Sequence, residues 1–166
     1  MSAIVTDISA EAYSVAPDSC FNHWVVFLQF DDSASAKGFI KVDMTPVLNN
    51  QGLIQFHHQP CDVTDTADKP EFRTGHPTIN NPTVQQIYNL LTTAGQNNVT
   101  LDRYKFTEEG NDCAFWVVTF LERLEAEGYL AQGTASQVWG YMQYYYLDNA
   151  SQGQVQAQGE RQGTFY

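Results

Sequence analysis

Cys113 is the residue whose place in the sequence points most directly to chemistry. The residues after it predict an amphipathic helix from about Cys113 to Glu127, with Asn111 or Asp112 as N-cap and Gly128 as terminator. A thiol in the first turn of a helix lies near the positive end of the helix dipole and near unpaired backbone N–H groups, which favour the nucleophilic thiolate and can stabilise an oxyanion beside it. The position is typical of reactive cysteines, but Asp112 next to it raises a thiol pKa, and position alone favours the competing interpretation. The competing interpretation is a small buried residue at the start of an apolar stripe.

A nucleophilic cysteine needs a base, and His23 is the best-placed histidine. It lies at the start of the strongly apolar run NHWVVFLQF, residues 22–30, which is typical of a strand covered on both faces. Asp43, on the polar face of the next predicted strand, can orient the imidazole as the third member of a triad. Three alternatives stay open: His23 is an ordinary strand-end histidine, Asp43 pairs only with Lys41 on the same face, or His57 orients His23 instead.

No metal or nucleotide site is predicted. His57 and His58 are adjacent on a predicted strand, so their side chains point to opposite faces, and together with Cys61 and His76 they fit no zinc spacing. The sequence has no glycine-rich phosphate loop and no dinucleotide fingerprint. We therefore expect no cofactor.

Aromatic residues offer material for a ligand pocket. The candidates for its walls are Trp24, Trp116, Trp139, Tyr141 and Tyr145. Core packing explains most aromatic residues of this kind, but the run Tyr144-Tyr145-Tyr146 on one helix spreads its rings over different faces, so at least one ring should meet solvent or a cleft. Such a pocket would suit a non-covalent small-molecule ligand.

A small antiparallel sheet would hold these residues. Three apolar runs predict strands that short turns join into a meander, at residues 22–30, 39–44 and 53–58. Residues 4–16 add a strand or a short helix. Residues 59–82 are predicted to be irregular because Asp, Thr and Pro are frequent there.

Two further helices accompany the one at Cys113. Asn81 as N-cap and Pro82 at the first helical position predict a helix that Gly95 ends, and a second amphipathic stretch runs from Ser136 to Leu147. The predicted fold class is α+β, a single domain over residues 1–166 in which two to three helices pack on the sheet. Residues 153–166 are expected to form an edge strand or a loose tail.

The composition excludes some classes of partner. The chain of 166 residues has 19 acidic and 8 basic side chains, a formal net charge of −11, so its field repels nucleic acid and anionic membrane surfaces. The sequence has no secretory signal and no apolar run of membrane-spanning length, and its three cysteines show no pairing pattern. We expect a cytoplasmic protein without a membrane span, and nothing in the sequence indicates its oligomeric state.

Two motifs carry a resemblance to known thiol hydrolases. The run NHWVVFL at residues 22–28 precedes the run GNDCAFWV at residues 110–117. This order resembles the circularly permuted papain-like hydrolases of the lecithin retinol acyltransferase group, in which a strand that begins His-Trp or His-Tyr precedes an Asn-Cys-x-x-Phe helix. The resemblance implies a permuted papain-like fold with His23 as base, Cys113 as nucleophile and Asp43 as the third polar residue. The chain departs from that pattern in the aspartate that separates the asparagine from the cysteine.

A second likeness, over most of the length, is to an uncharacterised family of small fungal proteins. The residues that carry it are His23-Trp24, VDMTP at 42–46, YKF at 104–106 and GNDCAFW at 110–116. This likeness implies an intracellular protein, in some members tied to secondary metabolism, and implies no activity. Where members of that family carry an arginine after the cysteine, this chain has Ala114, so a cation that would favour the thiolate is missing.

The sequence as a whole favours a cysteine-dependent acyl-transfer or hydrolytic enzyme acting on a small-molecule or acyl substrate. A non-covalent small-molecule-binding or cyclase-type biosynthetic protein with an aromatic pocket is the first alternative. An acidic interaction module without a pocket is the second. The separation of Cys113 from His23 in the fold is the observation that best distinguishes these hypotheses.

Overall fold

Seven strands and three helices make up the described part of the chain, which confirms the predicted α+β class. The computed structural model describes residues 2–14, 22–31, 37–60, 70–94, 100–106, 113–144 and 164–165. The strands are β1 (Val5–Ser14), β2 (Asn22–Asp31), β3 (Lys37–Pro46), β4 (Gln51–Pro60), β5 (Phe72–Pro77), β6 (Arg103–Lys105) and β7 (Thr164–Phe165). The helices are α1 (Val84–Thr92), α2 (Cys113–Ala126) and α3 (Thr134–Met142).

The strands form one antiparallel sheet in the order β5-β1-β2-β3-β4-β6-β7. The predicted meander is the centre of this sheet, because β2 pairs with β3 and β3 pairs with β4. Residues 4–16, for which a strand or a helix was expected, supply β1, which pairs with β2 along nearly its whole length. Of residues 153–166, positions 164 and 165 form the edge strand β7, and residues 153–163 and 166 lie outside the described residues.

β2 is buried on both faces, as its nearly continuous apolar run predicts. Trp24, Val26 and Leu28 point to the face on which the helices pack, here called the helix face. Val25 and Phe27 point to the opposite face, here called the outer face, where they form a second apolar cluster. Side chains alternate along a strand, so His23 shares the outer face with Val25.

The main core joins all three helices to the helix face. Its helical members include Val84, Ile87 and Leu91 of α1, Trp116, Val117, Phe120, Leu121 and Leu124 of α2, and Val138 and Met142 of α3. Full burial of each large apolar side chain stabilises the fold by about 1.5–3 kcal/mol. Because α2 contributes most of these residues, packing fixes the position of its N-terminus against the sheet.

α1 begins later than predicted. Its N-cap is Thr83, whose Oγ1 accepts from the backbone N–H of Gln86 at 3.2 Å, while Gln86 Oε1 accepts from the backbone N–H of Thr83 at 2.8 Å. This reciprocal capping box sets the start of the helix. The prediction that Asn81 is the cap was wrong, and Asn81 instead has the left-handed φ of 49° that precedes the helix.

α2 has the predicted start and end. It runs from Cys113 to Ala126, and Gly128 follows with a φ of 74°. The backbone N–H of Gly128 donates to Glu125 O and that of Tyr129 donates to Leu124 O, a Schellman arrangement in which glycine takes the left-handed position without strain. The predicted caps Asn111 and Asp112 lie outside the described residues.

β5 corrects the expectation that residues 59–82 are irregular. Phe72–Pro77 pairs antiparallel with β1, and only its alternate residues are partly buried. A short edge strand containing Gly and ending in Pro has little local strand signal, so its pairing with β1 determines its structure. α3 was also predicted with shifted bounds, at 136–147 instead of 134–142, and residues 145–147 lie outside the described residues.

No helix in the described ranges is long and apolar enough to cross a membrane.

Candidate active site

His23 lies at the start of β2 and is bound to Asp43 of β3. The register pairs Val26 with Val42, which places Asp43 one residue beyond this pair on the outer face and diagonal to His23. His23 Nε2 and Asp43 Oδ1 are 3.0 Å apart. The predicted orientation of the imidazole by Asp43 is therefore present as a direct contact. Nε2 is the nitrogen in this contact, so Nδ1 is the ring nitrogen left for other chemistry.

The other oxygen of Asp43 binds Lys41, so the predicted ion pair exists together with the contact to His23. Lys41 Nζ lies 2.9 Å from Asp43 Oδ2, and the two residues are spaced on the same face of β3. Burial alone raises the pKa of Asp43, but hydrogen bonds and positive charge from His23 and Lys41 lower it from 3.8 to about 2. Asp43 is therefore a carboxylate throughout the neutral range.

Cys113 is the first residue of α2, and its sulfur contacts the beginning of β2. The backbone N–H of Trp24 donates to Sγ at 3.4 Å, and Sγ lies 3.7 Å from the carbonyl oxygen of Asn22. The two backbone groups flank His23 in sequence. Packing of α2 on the helix face and pairing of β2 within the sheet together bring the thiol to the backbone on either side of this histidine, where Cys113 is a buried member of the main core, as the competing interpretation expects.

The imidazole of His23 has a raised pKa, to which both Asp43 and Cys113 contribute. Burial alone lowers the pKa of His23, but the hydrogen bonds to Asp43 and Cys113 and the charges of both groups raise it from 6.5 to about 9. His23 is therefore an imidazolium at neutral pH. Lys41 contacts Asp43 and Asp43 contacts His23, so a cation, an anion and a second cation follow one another on the strands beside the helix start that carries Cys113.

Exposure decreases from the imidazole to the sulfur. The His23 side chain is 33% exposed and the Asp43 side chain 13%, whereas Cys113 as a whole is 8% exposed. The imidazole is therefore more accessible to solvent than the sulfur. Such an arrangement permits proton exchange at His23 while the sulfur is shielded from bulk water.

The other histidines with described positions lie elsewhere. His57, the alternative orienter, points from β4 to solvent, where its Nε2 is 2.9 Å from Gln55 Oε1. His58 contacts the ring of Phe30, and His76 bonds Thr74. Asp43 rather than His57 therefore holds His23.

Of the aromatic residues predicted to line a pocket, some are fully buried in the core and others are partly exposed at its edge. Trp24 and Trp116 are fully buried in the main core, and Trp116 Nε1 donates to the carbonyl of Leu101 at 3.1 Å. Trp139 and Tyr141 of α3 are partly buried, and Tyr141 packs against Phe72 with ring centroids 5.2 Å apart. The two buried tryptophans are packing residues, since nothing reaches their rings from outside. Tyr145 lies outside the described residues.

A second polar cluster on the outer face was not predicted from the sequence. Glu11 of β1 is fully buried, and it accepts hydrogen bonds from Ser9 Oγ at 3.1 Å, Tyr13 OH at 2.7 Å and Arg73 Nε at 2.5 Å. The alternation Ser9-Glu11-Tyr13 was a usable sign of a polar row on β1. The cation was not detectable, because it comes from the unpredicted strand β5.

The backbone contacts of Cys113 were also missed. Main-chain N–H and carbonyl groups at Asn22 and Trp24 carry no side-chain signal, so only the packing of α2 against β2 reveals them.

Comparison with known proteins places the chain in a family. No curated protein and no solved structure matches it. A family model described as a domain of unknown function, DUF7770, matches residues 4–166. This match confirms the predicted likeness to an uncharacterised family and covers both motifs that contribute His23 and Cys113. The chain therefore belongs to the DUF7770 family.

Proposed function

We propose that this protein is a cysteine-dependent acyl-transfer or hydrolytic enzyme in which Cys113 is the nucleophile, His23 the acid and base, and Asp43 the residue that orients the imidazole. The observations that support this proposal are the 3.0 Å contact of His23 with Asp43 and the position of the Cys113 sulfur at the backbone N–H of Trp24, the residue that follows His23. The substrate is a small molecule with an activated acyl group. The cytoplasmic setting, the place in fungal secondary metabolism and the permuted papain-like arrangement expected from the sequence are parts of the same proposal.

Acylation of the cysteine is the first half of the reaction. The reactive form in this proposal is an ion pair, in which the proton lies on His23 and the sulfur attacks as a thiolate. The sulfur electron pair attacks the carbonyl carbon, a C–S bond forms, and the carbonyl π electrons move to oxygen to give a tetrahedral oxyanion. Backbone N–H groups in the first turn of α2 stabilise this oxyanion. As the oxyanion collapses, the bond to the leaving group breaks and the leaving group takes the proton of His23.

Release of the acyl group is the second half. Water, or an acceptor alcohol or amine, attacks the carbonyl carbon of the Cys113 thioester while neutral His23 takes its proton on Nδ1, because Nε2 is held by Asp43. The C–S bond then breaks and its electron pair returns to sulfur, which restores the thiolate and the imidazolium. Attack by water gives hydrolysis, and attack by another acceptor gives acyl transfer.

Alkylation kinetics test the nucleophile. With limiting iodoacetamide at pH 7, we expect Cys113 to be labelled about tenfold faster than Cys20 and Cys61, because the imidazolium beside it favours the thiolate. Peptide mass spectrometry resolves the three sites. His23→Ala should slow labelling of Cys113 alone, whereas His57→Ala is the matched control because that histidine lies away from the sulfur. Equal and slow labelling of all three cysteines would reject the proposal.

Turnover of a simple ester distinguishes this function from non-covalent binding. With p-nitrophenyl acetate we expect a burst of nitrophenol equal to the enzyme concentration and a mass increase of one acetyl group on Cys113. Cys113→Ala should abolish both. If ester turnover persists at full rate in Cys113→Ala, or never exceeds that of buffer in the wild type, the covalent mechanism is wrong and the non-covalent alternative gains support.

A further inference from the structure

The two oxygens of Asp43 are divided between two cations. Oδ1 faces His23 Nε2 at 3.0 Å, and Oδ2 faces Lys41 Nζ at 2.9 Å. The Lys41 side chain is 27% exposed, less than that of His23. A carboxylate held at both oxygens cannot rotate about its terminal bond without losing one of these contacts.

We propose that Lys41 is a positioning residue of this site, which holds the Asp43 carboxylate with Oδ1 towards His23 and takes a share of its negative charge. This inference rests on the proposed function, since it concerns how readily His23 exchanges a proton with substrate. Neither motif that resembles the thiol hydrolases includes this lysine.

The sharing of charge matters because His23 must both keep and release a proton. An unshared carboxylate would stabilise the imidazolium more strongly than Asp43 does beside Lys41. A proton held too tightly is transferred slowly to the leaving group, because general acids work best when their pKa lies near the working pH. Lys41 therefore limits the influence of Asp43 on His23 while it fixes the geometry of their contact.

Residues of β1, β4 and α2 also lie near His23 and Asp43, and their contacts differ from that of Lys41. On β1, Tyr13 is the register partner of His23, and its hydroxyl is bonded to Glu11. On β4, Gln55 lies opposite Asp43 and His57 lies opposite Lys41, and those two side chains bond each other. On α2, the sulfur of Cys113 lies at the backbone of Asn22 and Trp24, on either side of His23. Among the described residues, Asp43 forms salt bridges with two cations, His23 and Lys41.

Titration of His23 by NMR tests this role through opposite effects on one imidazole. In Lys41→Met, which removes the charge and keeps an extended side chain, we expect the pKa of His23 to rise above its wild-type value by about half a unit. In Asp43→Asn we expect it to fall by about one unit or more. Lys41→Arg should leave it within about 0.2 units of the wild type, because the charge is retained. Lys41→Gln repeats the test with a polar neutral side chain should Lys41→Met fold poorly.

A lysine with a merely structural role gives another result. If neutralising Lys41 leaves the pKa of His23 unchanged, or lowers it, Lys41 does not take a share of the charge of Asp43 and the proposal is overturned. In ester turnover we expect kcat of Lys41→Met to fall about three- to tenfold with KM unchanged, and Lys41→Arg to restore it. A change in KM alone would count against a role in proton transfer.

Failure of this inference and failure of the proposed function are distinguishable. The titration reports on His23 whether or not the protein turns over any ester. Absence of Cys113-dependent burst in the wild type rejects the enzyme. A normal wild-type burst together with an unshifted His23 in Lys41→Met rejects only the role of Lys41.

Discussion

Glu11 and Asp43 are two buried carboxylates on the outer face of one sheet, on the strands that flank β2. Glu11 is fully buried, and its oxygens are occupied by Ser9, Tyr13 and Arg73. Asp43 is 9% exposed, and its oxygens are occupied by His23 and Lys41. Each carboxylate is therefore compensated by a cation, as burial requires.

The difference lies in what the partners can do next. The hydroxyl groups and the guanidinium around Glu11 donate hydrogen bonds to it, so this cluster joins β1 to β5 and contributes to stability. His23 has a second ring nitrogen, and Cys113 contributes to its raised pKa, so the cluster at Asp43 extends to the thiol that we propose as nucleophile. A buried carboxylate by itself does not indicate a site. Its connection through an ionisable group to a reactive atom does.

Of the substitutions that compare the two clusters, loss of the His23 imidazole should have the largest effect, and this effect is on ester turnover. His23→Gln removes the acid and base, so the proposed Cys113-dependent ester turnover should fall by about 10²- to 10⁴-fold. Ser9→Ala removes one hydrogen bond of the Glu11 cluster and should change turnover less than about twofold. Both are measured as kcat/KM with p-nitrophenyl acetate. Comparable losses in the two variants would mean that the clusters do not differ in function.

Loss of Glu11 should have the next largest effect, on stability. Glu11→Ala removes the acceptor that the buried Ser9 and the partly buried Tyr13 share, while the 42% exposed Arg73 side chain can turn to water, so the free energy of unfolding should fall by about 2 kcal/mol. Urea unfolding measures this change. The alkylation rate of Cys113 in the folded protein should stay close to that of the wild type. If Glu11→Ala slows the alkylation of Cys113 and leaves the free energy of unfolding unchanged, the roles assigned to the two carboxylates are wrong.

The meander and the helix at Cys113 were predictable because their signals are local. β2, β3 and β4 carry apolar runs with turn residues between them, and α2 carries an apolar stripe that ends at Gly128. Tertiary pairing decided the rest. β5 becomes a strand because β1 offers it an edge, and α1 starts at Thr83 because a capping box there competes successfully with Asn81 and Pro82.

The candidate site was predictable to a similar degree. His23, Asp43 and Cys113 were identified by residue type and by the elements that carry them, and the fold brings all three together. The choice between Asp43 and His57 as orienter could not be made from sequence, since it depends on the register of β3 against its neighbours and on which face each side chain takes. From the sequence, a contact of Asp43 with Lys41 and a contact with His23 were alternatives. The carboxylate makes both contacts, because each of its two oxygens binds one of these residues.

The free energy of unfolding should depend on pH through His23 and Asp43. This effect should be smaller than that of losing Glu11, and it concerns the Asp43 cluster. The pKa of His23 is raised from 6.5 to about 9 in the folded protein, so its contribution is fully present below pH 6.5 and is lost as the pH rises through 9. With solvent screening of this partly exposed side chain, the loss is on the order of 1–2 kcal/mol. The pKa of Asp43 is lowered to about 2, so its contribution is present above pH 3.8 and is lost as the pH falls through 2.

Urea unfolding at pH 6 and pH 9.5 measures the histidine contribution as a difference between proteins. The wild type should lose more unfolding free energy between these two values than His23→Gln does. Ser9→Ala should lose as much as the wild type. Parallel losses in the wild type and in His23→Gln would show that the imidazole is not stabilised in its charged form.

Removal of His57 should have the smallest effect, and it tests the choice of orienter directly. His57 is exposed on β4 and bonds Gln55, so His57→Ala should change the free energy of unfolding by less than about 0.5 kcal/mol and Cys113 alkylation by less than about twofold. Asp43→Asn, which removes the charge that holds the imidazole, should slow the same alkylation about tenfold. The rates of Cys113 alkylation in these two variants, measured side by side at pH 7, therefore show whether Asp43 or His57 orients His23. If His57→Ala slows Cys113 as much as Asp43→Asn does, the carboxylate has no special role, and the contrast between the Asp43 and Glu11 clusters rests on Cys113 and His23 alone.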